Sequence, residues 1–269
     1  MNRTTAAAGM TWRRPPVIAN PWLRRGLFIG VPLYLFVALG TLEINWARVM
    51  AGMPRALEFL AALASPDFVS RADQIIDGVL ESLTMTLVAT FLGFLLSVPV
   101  ALGAARNLAP MPVYLTCRAI IAISRSFQEI IIAILFVAML GFGPLAGVAT
   151  LAFASIGFIA KLAAEEIEAM NPRPLEAIRA TGGSWLQRVH WAVQPQVLPR
   201  VAGITLYRLD INFRESAIIG IVGAGGIGAT LNTAFDRYEF ETAAAILLVI
   251  IVIVLAAEYA SGWLRGRLR

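Results

Sequence analysis

Six long stretches of the sequence are mostly apolar, and they limit the possible folds more than any other feature. A helix that crosses the hydrocarbon core of a membrane needs about 20 predominantly apolar residues. The stretches lie at residues 26–42, 82–105, 119–140, 145–161, 201–228 and 242–257. We therefore predict an all-α polytopic membrane protein with six transmembrane helices.

The composition excludes the common soluble alternatives. Hydrophobic residues make up 58% of the 269-residue chain and charged residues only 14%, whereas a soluble domain carries about a quarter charged residues. A disordered chain needs the opposite balance, with few apolar residues and many charges. The sequence is therefore typical of a membrane protein and not of a soluble enzyme or a disordered segment.

The side chains available for catalysis or metal binding are few. Cys117 and His190 are the only residues of their types, so an intramolecular disulfide and a zinc site built on paired His or Cys ligands are excluded. Lys161 is the only lysine, and no Walker A loop of the form G-x-x-x-x-G-K-[ST] surrounds it. This disfavours an integral membrane enzyme, and we expect neither a cofactor nor a metal in this chain.

The basic residues predict the orientation of the chain in the membrane. If the N-terminus is cytoplasmic, the external segments hold only four basic residues: Arg48, Arg55, Arg71 and Arg237. Most of the others flank the cytoplasmic ends of the spans, which is the asymmetry of the positive-inside rule. We therefore predict a multi-pass protein of the bacterial inner membrane with both termini in the cytoplasm, and no nucleic-acid partner.

Two segments between the spans are long. Residues 43–78 carry mixed charges and are interpreted as an external or interfacial helix pair. Residues 1–78 then form an N-terminal region of tail, first span and external segment, and residues 79–269 form the main transmembrane domain. The second long segment, residues 162–200, lies on the predicted cytoplasmic side.

This cytoplasmic segment has the pattern of a rigid helix–glycine–helix unit. Proline disfavours helix in the residue before it, so Pro172 interrupts the helix that continues from the fourth span. A short helix follows, Gly182 breaks it, and Ser184 is positioned to cap the next one. Pro195 and Pro199 are expected to end the unit. A docking surface for a cytoplasmic partner explains this rigidity better than a lid on the protein's own core.

The same segment resembles the EAA loop of the membrane subunits of ABC importers. That loop reads E-A-A, three residues, G, nine residues, then I-x-L-P, and Glu176, Ala177, Gly182 and Pro195 occupy the matching positions. The departures from the pattern are Ile178, Ala192 and Gln194. The resemblance implies a loop that couples the chain to an ATPase, with Glu176 as an anchor, Gly182 at a bend and Arg179 on the coupling helix.

A further stretch narrows the resemblance. Residues 212–228 (N-F-R-E-S-A-I-I-G-I-V-G-A-G-G-I-G) and 176–182 (E-A-I-R-A-T-G) are similar to the corresponding segments of phosphonate permeases. The resemblance covers residues 80–262 and implies a type I ABC importer with a methionine-permease-like core and cytoplasmic EAA coupling helices. It also implies a homodimer that imports phosphonate, phosphite or hypophosphite. The implied partners are two cytoplasmic ATPase subunits, which bind the ATP and Mg²⁺, and a periplasmic binding protein.

Two other kinds of transporter remain open. An amino-acid permease of the methionine type shares the implied fold. A secondary transporter works without ATP, and it predicts internal repeats; no convincing repeat is visible in the sequence. Transport without a partner would also leave the rigid cytoplasmic unit without a purpose.

Polar residues inside the predicted fifth span are candidates for the translocation path, because charge inside a membrane is costly unless it faces a cavity or a partner. Arg208, Asn212 and Glu215 fall within about 60° of one another on a helix, and Ser216 follows directly. These residues are predicted to line a water-filled path or the seam of a dimer.

Two pairs at i,i+4 spacing are predicted as ion pairs. Asp210 and Arg214 have the favourable acid-before-base order and are expected to stabilise the fifth span, with Arg214 also a candidate for the path. Arg125 and Glu129 form the second pair, in the third span. We interpret that pair as structural, with a minor role in the path for Arg125.

The fifth span ends in a glycine-rich segment that contains Gly223, Gly225, Gly226 and Gly228. Its G-x-G-x-x-G spacing matches the dinucleotide-binding fingerprint, but that fingerprint needs a preceding strand and a soluble crossover helix. Here a membrane span follows. We therefore predict that the glycines serve close helix packing or gating.

Overall fold

A computed structural model describes Ile18, residues 20–42 and residues 45–267 of the chain; the predicted N-terminal tail, residues 1–17, lies outside the described residues. Within the described part the regular structure is entirely helical. The helices are α1 (Pro21–Thr41), α2 (Trp46–Ala62), α3 (Ala72–Gly103), α4 (Met111–Ser126), α5 (Glu129–Leu140), α6 (Pro144–Ala169), α7 (Arg173–Ala180), α8 (Trp185–Arg188), α9 (Gln194–Ile219), α10 (Ile227–Asp236) and α11 (Phe240–Arg267).

The chain divides into two units, of which the first ends at Arg55 and the second begins at Ala56. The first unit contains α1 and the start of α2. Asn20 caps α1, because its side chain accepts a hydrogen bond from the Trp22 amide at 3.0 Å. The α1 helix is apolar and long enough to cross a membrane, and none of its residues is buried.

The prediction of six spans agrees with the structure if two bent helix pairs each count as one span. Helices α1, α3, α6 and α11 are single helices long and apolar enough to cross a membrane. The other two candidates are α4 with α5, bent by 92°, and the helix over Trp185–Ala224 with α10, bent by 55°. The third predicted span, residues 119–140, is therefore not one continuous helix.

The external segment also differs from its prediction. The α3 helix begins at Ala72, ten residues before the predicted span, so residues 43–78 contain one complete helix, α2, and not a helix pair. Asp73 lies in the first turn of α3, where the helix dipole favours an acidic side chain. Asp73 and Asp77, two of the charged residues of this segment, therefore belong to the membrane helix itself.

The prediction that Pro195 and Pro199 end the cytoplasmic unit is wrong. The helical turn α8 continues through a π-helical segment, Val189–Val193, directly into α9. Pro195 lies in the first turn of α9, where a missing N–H group costs little. The wider π turn before it closes through a hydrogen bond from the Gln194 amide to the Val189 carbonyl.

Helix α6 is at the centre of the second unit and packs on α3, α4, α5 and α9. Small residues permit this close packing. At Gly93 of α3, a Cβ atom would overlap the Ser155 side chain of α6, and at Gly157 of α6 a Cβ would lie 2.5 Å from the Ser124 hydroxyl of α4. Helices α3 and α4 therefore approach α6 closely at positions where the residues are small.

The starts of α3 and α11 are joined at one end of the bundle. Arg71 forms an ion pair with Glu239 at 2.5 Å, and the Asp67 amide donates to the Glu241 carbonyl at 3.2 Å. Hydrogen bonds from the Ser70 hydroxyl and from the Ser70 and Val69 amides lower the pKa of the Asp67 carboxyl. These contacts fix the entry of the chain into α3.

Candidate functional site

The break between α4 and α5 places a polar elbow inside a candidate span. Phe127 and Gln128 have extended backbone conformations, although neither proline nor glycine occurs there. Contacts with α6 hold the end of α4, because the Ser124 hydroxyl donates to the Phe153 carbonyl at 2.7 Å and accepts from the Gly157 amide at 3.2 Å. The elbow is thus held by contacts to a neighbouring helix.

The predicted ion pair between Arg125 and Glu129 does not form, because the elbow separates the two residues. Glu129 instead pairs with Arg208 of α9, with 2.9 Å between its Oε1 atom and the Arg208 guanidinium. Arg208 also donates from Nε to the Ser155 hydroxyl at 3.0 Å and lies over the Phe158 ring. Its side chain is only 3% exposed, so Arg208 joins α5, α6 and α9 inside the protein.

Asn212 extends this network to α3. Its side-chain amide donates to the Thr90 hydroxyl at 2.8 Å and to the Ser155 hydroxyl at 3.0 Å. Asn212 and Ser216 are completely buried, and the Ser216 hydroxyl donates to the Phe213 carbonyl. Three of the candidate path residues, Arg208, Asn212 and Ser216, therefore lie inside the helix bundle and not on its surface.

The other candidates lie on an accessible face. Arg214 is 53% exposed and pairs with the buried Asp210 at 2.9 Å, as the i,i+4 spacing predicted. Glu215 is half-buried and interacts with Glu129, Arg208 and Arg214. Arg125 is exposed at the end of α4 and makes no ion pair with any described residue. The candidates thus separate into an internal framework and an outward-facing group.

The glycine-rich segment interrupts the helix between α9 and α10. Gly223, Gly225 and Gly226 have φ angles of +94°, +82° and +73°, a region that other residues adopt only at a cost. Two hydrogen bonds to other elements hold the segment in place. The Gly143 amide donates to the Gly223 carbonyl at 3.0 Å, and the Ile227 amide donates to the Ser82 hydroxyl at 2.9 Å. These glycines satisfy both a backbone requirement and a packing requirement.

The helix–glycine–helix pattern is present as predicted from the sequence. Helix α7 ends before Gly182, whose φ is +76°. Ser184 and Gln187 form a capping box at the start of α8. Of the EAA-loop residues, Glu176, Ala177 and Pro195 are exposed. Arg179 is exposed as well, but its guanidinium donates to the Asn107 carbonyl of the same chain at 2.7 Å.

Several residues that sequence reasoning missed complete these contacts. Ser82 and Thr90 are two of several hydroxyl residues in α3, and Ser155 shares α6 with Thr150, so no local signal in the sequence distinguishes them. Asn107 lies between α3 and α4 and Glu168 lies at the end of α6, so the two are far apart in the sequence and no pattern connects them. Between α3, α9 and α11, a cavity of about 330 Å³ is lined by Thr86 and Asp210, each with one buried oxygen that lacks a hydrogen-bond partner among the described residues.

Broken membrane helices around a buried polar network define this chain as a subunit for transport across a membrane. A family model confirms this from the sequence, since residues 86–269 match the binding-protein-dependent transport system inner membrane component. The chain belongs to this family, which is that of the ABC importer permeases recognised from the EAA-like loop.

Two curated relatives and one solved structure are similar to the chain. A phosphate-import permease protein of Mycolicibacterium smegmatis is 40% identical over 244 residues, which are 90% of this chain and 45% of that protein, so the chain spans about half of that relative's length. A phosphite transport system permease protein of Stutzerimonas stutzeri is 38% identical over 89% of this chain and 86% of that protein. An inward-facing structure of a methionine ABC transporter matches 75% of this chain and all of that chain, with a TM-score of 0.65 and 26% identity. These matches confirm the predicted type I importer fold with a methionine-permease-like core.

Proposed function

We propose that this chain is the membrane-spanning permease subunit of an ABC importer for a phosphorus oxyanion such as phosphonate, phosphite or phosphate. The names of the relatives from Mycolicibacterium smegmatis and Stutzerimonas stutzeri support this substrate class. In this proposal two copies of the chain form the path in the inner membrane. Two ATPase subunits bind ATP and Mg²⁺ on the cytoplasmic side, where both termini lie, and a periplasmic binding protein delivers the anion.

The observation that carries the proposal is the pair of exposed arginines on the bundle. Arg214 and Arg125 are exposed residues of two candidate spans, and guanidinium groups inside a membrane are costly in lipid. A second copy of the chain and a water-filled path between the copies would cover them. Positive potential along that path suits an anion, provided that no site binds it too tightly to leave.

Co-purification from the native membrane in mild detergent tests the assembly. We expect an ABC ATPase subunit in about equal amount, and ATP-dependent uptake of phosphite, phosphate or methylphosphonate by the complex in vesicles with its binding protein. Methionine uptake in place of oxyanion uptake would favour the amino-acid permease, for which the match to the methionine transporter is the supporting observation. Uptake by the chain alone without ATP would favour the secondary transporter over the ABC importer.

Replacing Arg214 by glutamine is expected to lower oxyanion import by about tenfold, because charged clefts raise the local concentration of an oppositely charged substrate. The measurement is ATP-dependent import by complexes matched for ATPase content. Arg237→Gln is the control, since Arg237 is an exposed residue that follows α10 and lies outside the proposed path. Equal import by the two variants would exclude Arg214 from the path.

Replacing Gly182 by valine is expected to uncouple import from ATP hydrolysis without unfolding the membrane helices. No atom lies within 4 Å of a Cβ at this position, so the effect comes from the left-handed backbone, which costs a β-branched residue about 1–3 kcal/mol. Gly182→Asn is the control, because asparagine tolerates this conformation. Normal import by Gly182→Val, measured in vesicles beside its thermal stability, would contradict the coupling role.

A further inference from the structure

The seven residues between α3 and α4, residues 104–110, are packed into the unit that contains α7. We refer to them as the α3–α4 turn. Ala105 and Leu108 of the turn share one buried cluster with Leu175 of α7 and Ile167 of α6. The turn is therefore part of the same apolar core as the proposed coupling helix.

Hydrogen bonds join the α3–α4 turn to the same partners. The Arg179 guanidinium of α7 donates to the Asn107 carbonyl at 2.7 Å, and the Asn107 side-chain amide donates to the Ile167 carbonyl of α6 at 2.8 Å. The Arg106 amide donates to Oε1 of Glu168 at 2.9 Å. Polar contacts from both the backbone and the side chains therefore hold the turn against α6 and α7.

Glu168 also connects the turn to α4. Its Oε1 atom accepts a second hydrogen bond at 2.9 Å from Arg118, whose Nε donates to the Ala104 carbonyl at 3.0 Å. One carboxylate oxygen therefore holds together the end of α6, the α3–α4 turn and α4.

The two helices that leave the turn lead to the two breaks in the candidate spans. Along α3, Ser82 lies 21 residues from Gly103, which is about 30 Å of helix, and its hydroxyl accepts the Ile227 amide next to the glycine-rich segment. Along α4, the chain reaches Arg125 and the elbow. These two helices therefore connect the turn directly to both places.

From these contacts we infer that the α3–α4 turn is a second coupling element, which moves with α7 and transmits its displacement to the elbow and the glycine-rich segment. Asn107 and Glu168 are the positioning residues of this link. The inference rests on the proposed function, because it requires that an ATPase moves α7. It assigns Arg179 an internal role, as a contact that ties α7 to the membrane helices.

The ratio of oxyanion imported to ATP hydrolysed tests the link, since a merely structural change does not alter it. The complex of this chain with its ATPase and binding protein is reconstituted in vesicles with phosphite as the substrate. For Glu168→Ala and Asn107→Ala we expect complete assembly and continued ATP hydrolysis, while the oxyanion imported per ATP falls about fivefold or more. A factor of that size is typical of the coupling between two sites in a protein. Glu168→Gln keeps an acceptor oxygen, so its ratio of import to hydrolysis is expected to lie between those of wild type and Glu168→Ala. If Glu168→Ala prevents assembly, Glu168→Gln takes its place in the test.

Glu166→Ala is the matched control. Glu166 lies on the same helix two residues away and pairs with Arg200 of α9, outside the α3–α4 turn, so its ratio is expected to remain that of wild type. Equal losses in Glu166→Ala and Glu168→Ala, or a loss of import strictly proportional to a loss of ATP hydrolysis, would overturn the inference. Failure of the wild-type complex to import any oxyanion would instead overturn the proposed function itself.

Discussion

Replacing Gly228 by alanine is expected to prevent stable folding of the permease. A Cβ atom at this position would overlap the Ala217 carbonyl oxygen and lie 2.8 Å from its carbon, with Gly220 at 3.0 Å. All three contacts are to backbone, so no side-chain rotation can relieve them. We expect a loss of about 3 kcal/mol or more, at the upper end of what overpacking costs, which is a large part of the 5–15 kcal/mol that stabilises an ordinary domain.

This effect is measured by thermal unfolding of the purified chain in detergent, with the fraction of protein that stays monodisperse as the readout. Gly262→Ala is the matched control, because no atom lies within 4 Å of a Cβ at Gly262 in α11. Alanine is the better helix former, so this control is expected to be neutral or stabilising by up to about 1 kcal/mol. Similar stability of the two variants would mean that α9 and α10 do not approach each other at Gly228.

Replacing Arg208 by alanine is expected to destabilise the chain nearly as much. The substitution leaves the Glu129 carboxylate without its cation and removes one of the two donors to the Ser155 hydroxyl. Breaking a buried ion pair by removal of one partner costs about 3–5 kcal/mol, because the remaining charge is uncompensated. We expect the same assay to show a marked fall in the unfolding temperature, because the elbow loses the contact that holds it.

A double variant separates charge from shape at this site. Arg208→Gln with Glu129→Gln removes both charges and retains hydrogen-bonding groups, so it is expected to recover much of the stability that Arg208→Ala loses. Arg200→Ala is the control for an exposed pair, since the Arg200 side chain is 62% exposed and such pairs contribute at most about 1 kcal/mol. A double variant as unstable as Arg208→Ala would show that the packing of Arg208, and not its pairing, holds the elbow.

Three predictions that rested on local patterns agree with the structure. The apolar runs correspond to the candidate spans, because the bilayer requires every backbone group of a lipid-exposed segment to be paired within a helix. Gly182 and Ser184 mark the break between α7 and α8, since a left-handed residue and an N-cap depend on a few neighbouring residues. The Asp210–Arg214 pair was predictable for the same reason, as both members lie on one helix.

The predictions that failed depended on contacts between distant segments. Arg125 and Glu129 have the spacing of an ion pair, yet the chain bends between them because Ser124 binds α6 and Glu129 binds Arg208. Nothing local marks this elbow, since it contains neither glycine nor proline. The prediction for Pro195 and Pro199 failed because a π-helical turn carries the helix into α9, where Pro195 lies in the first turn and Pro199 lies inside the helix.

The sequence by itself therefore determined the membrane class, the candidate spans, the helix–glycine–helix unit and the family. Each depends on composition or on spacing within one segment. Only the tertiary structure decided which polar residues face inward, where the third span breaks, and how α7 is tied to Asn107 and Glu168. The hydrogen bonds behind these features join residues 29 to 122 positions apart, and a partner at that distance is selected by the packing of whole helices, which no local pattern encodes.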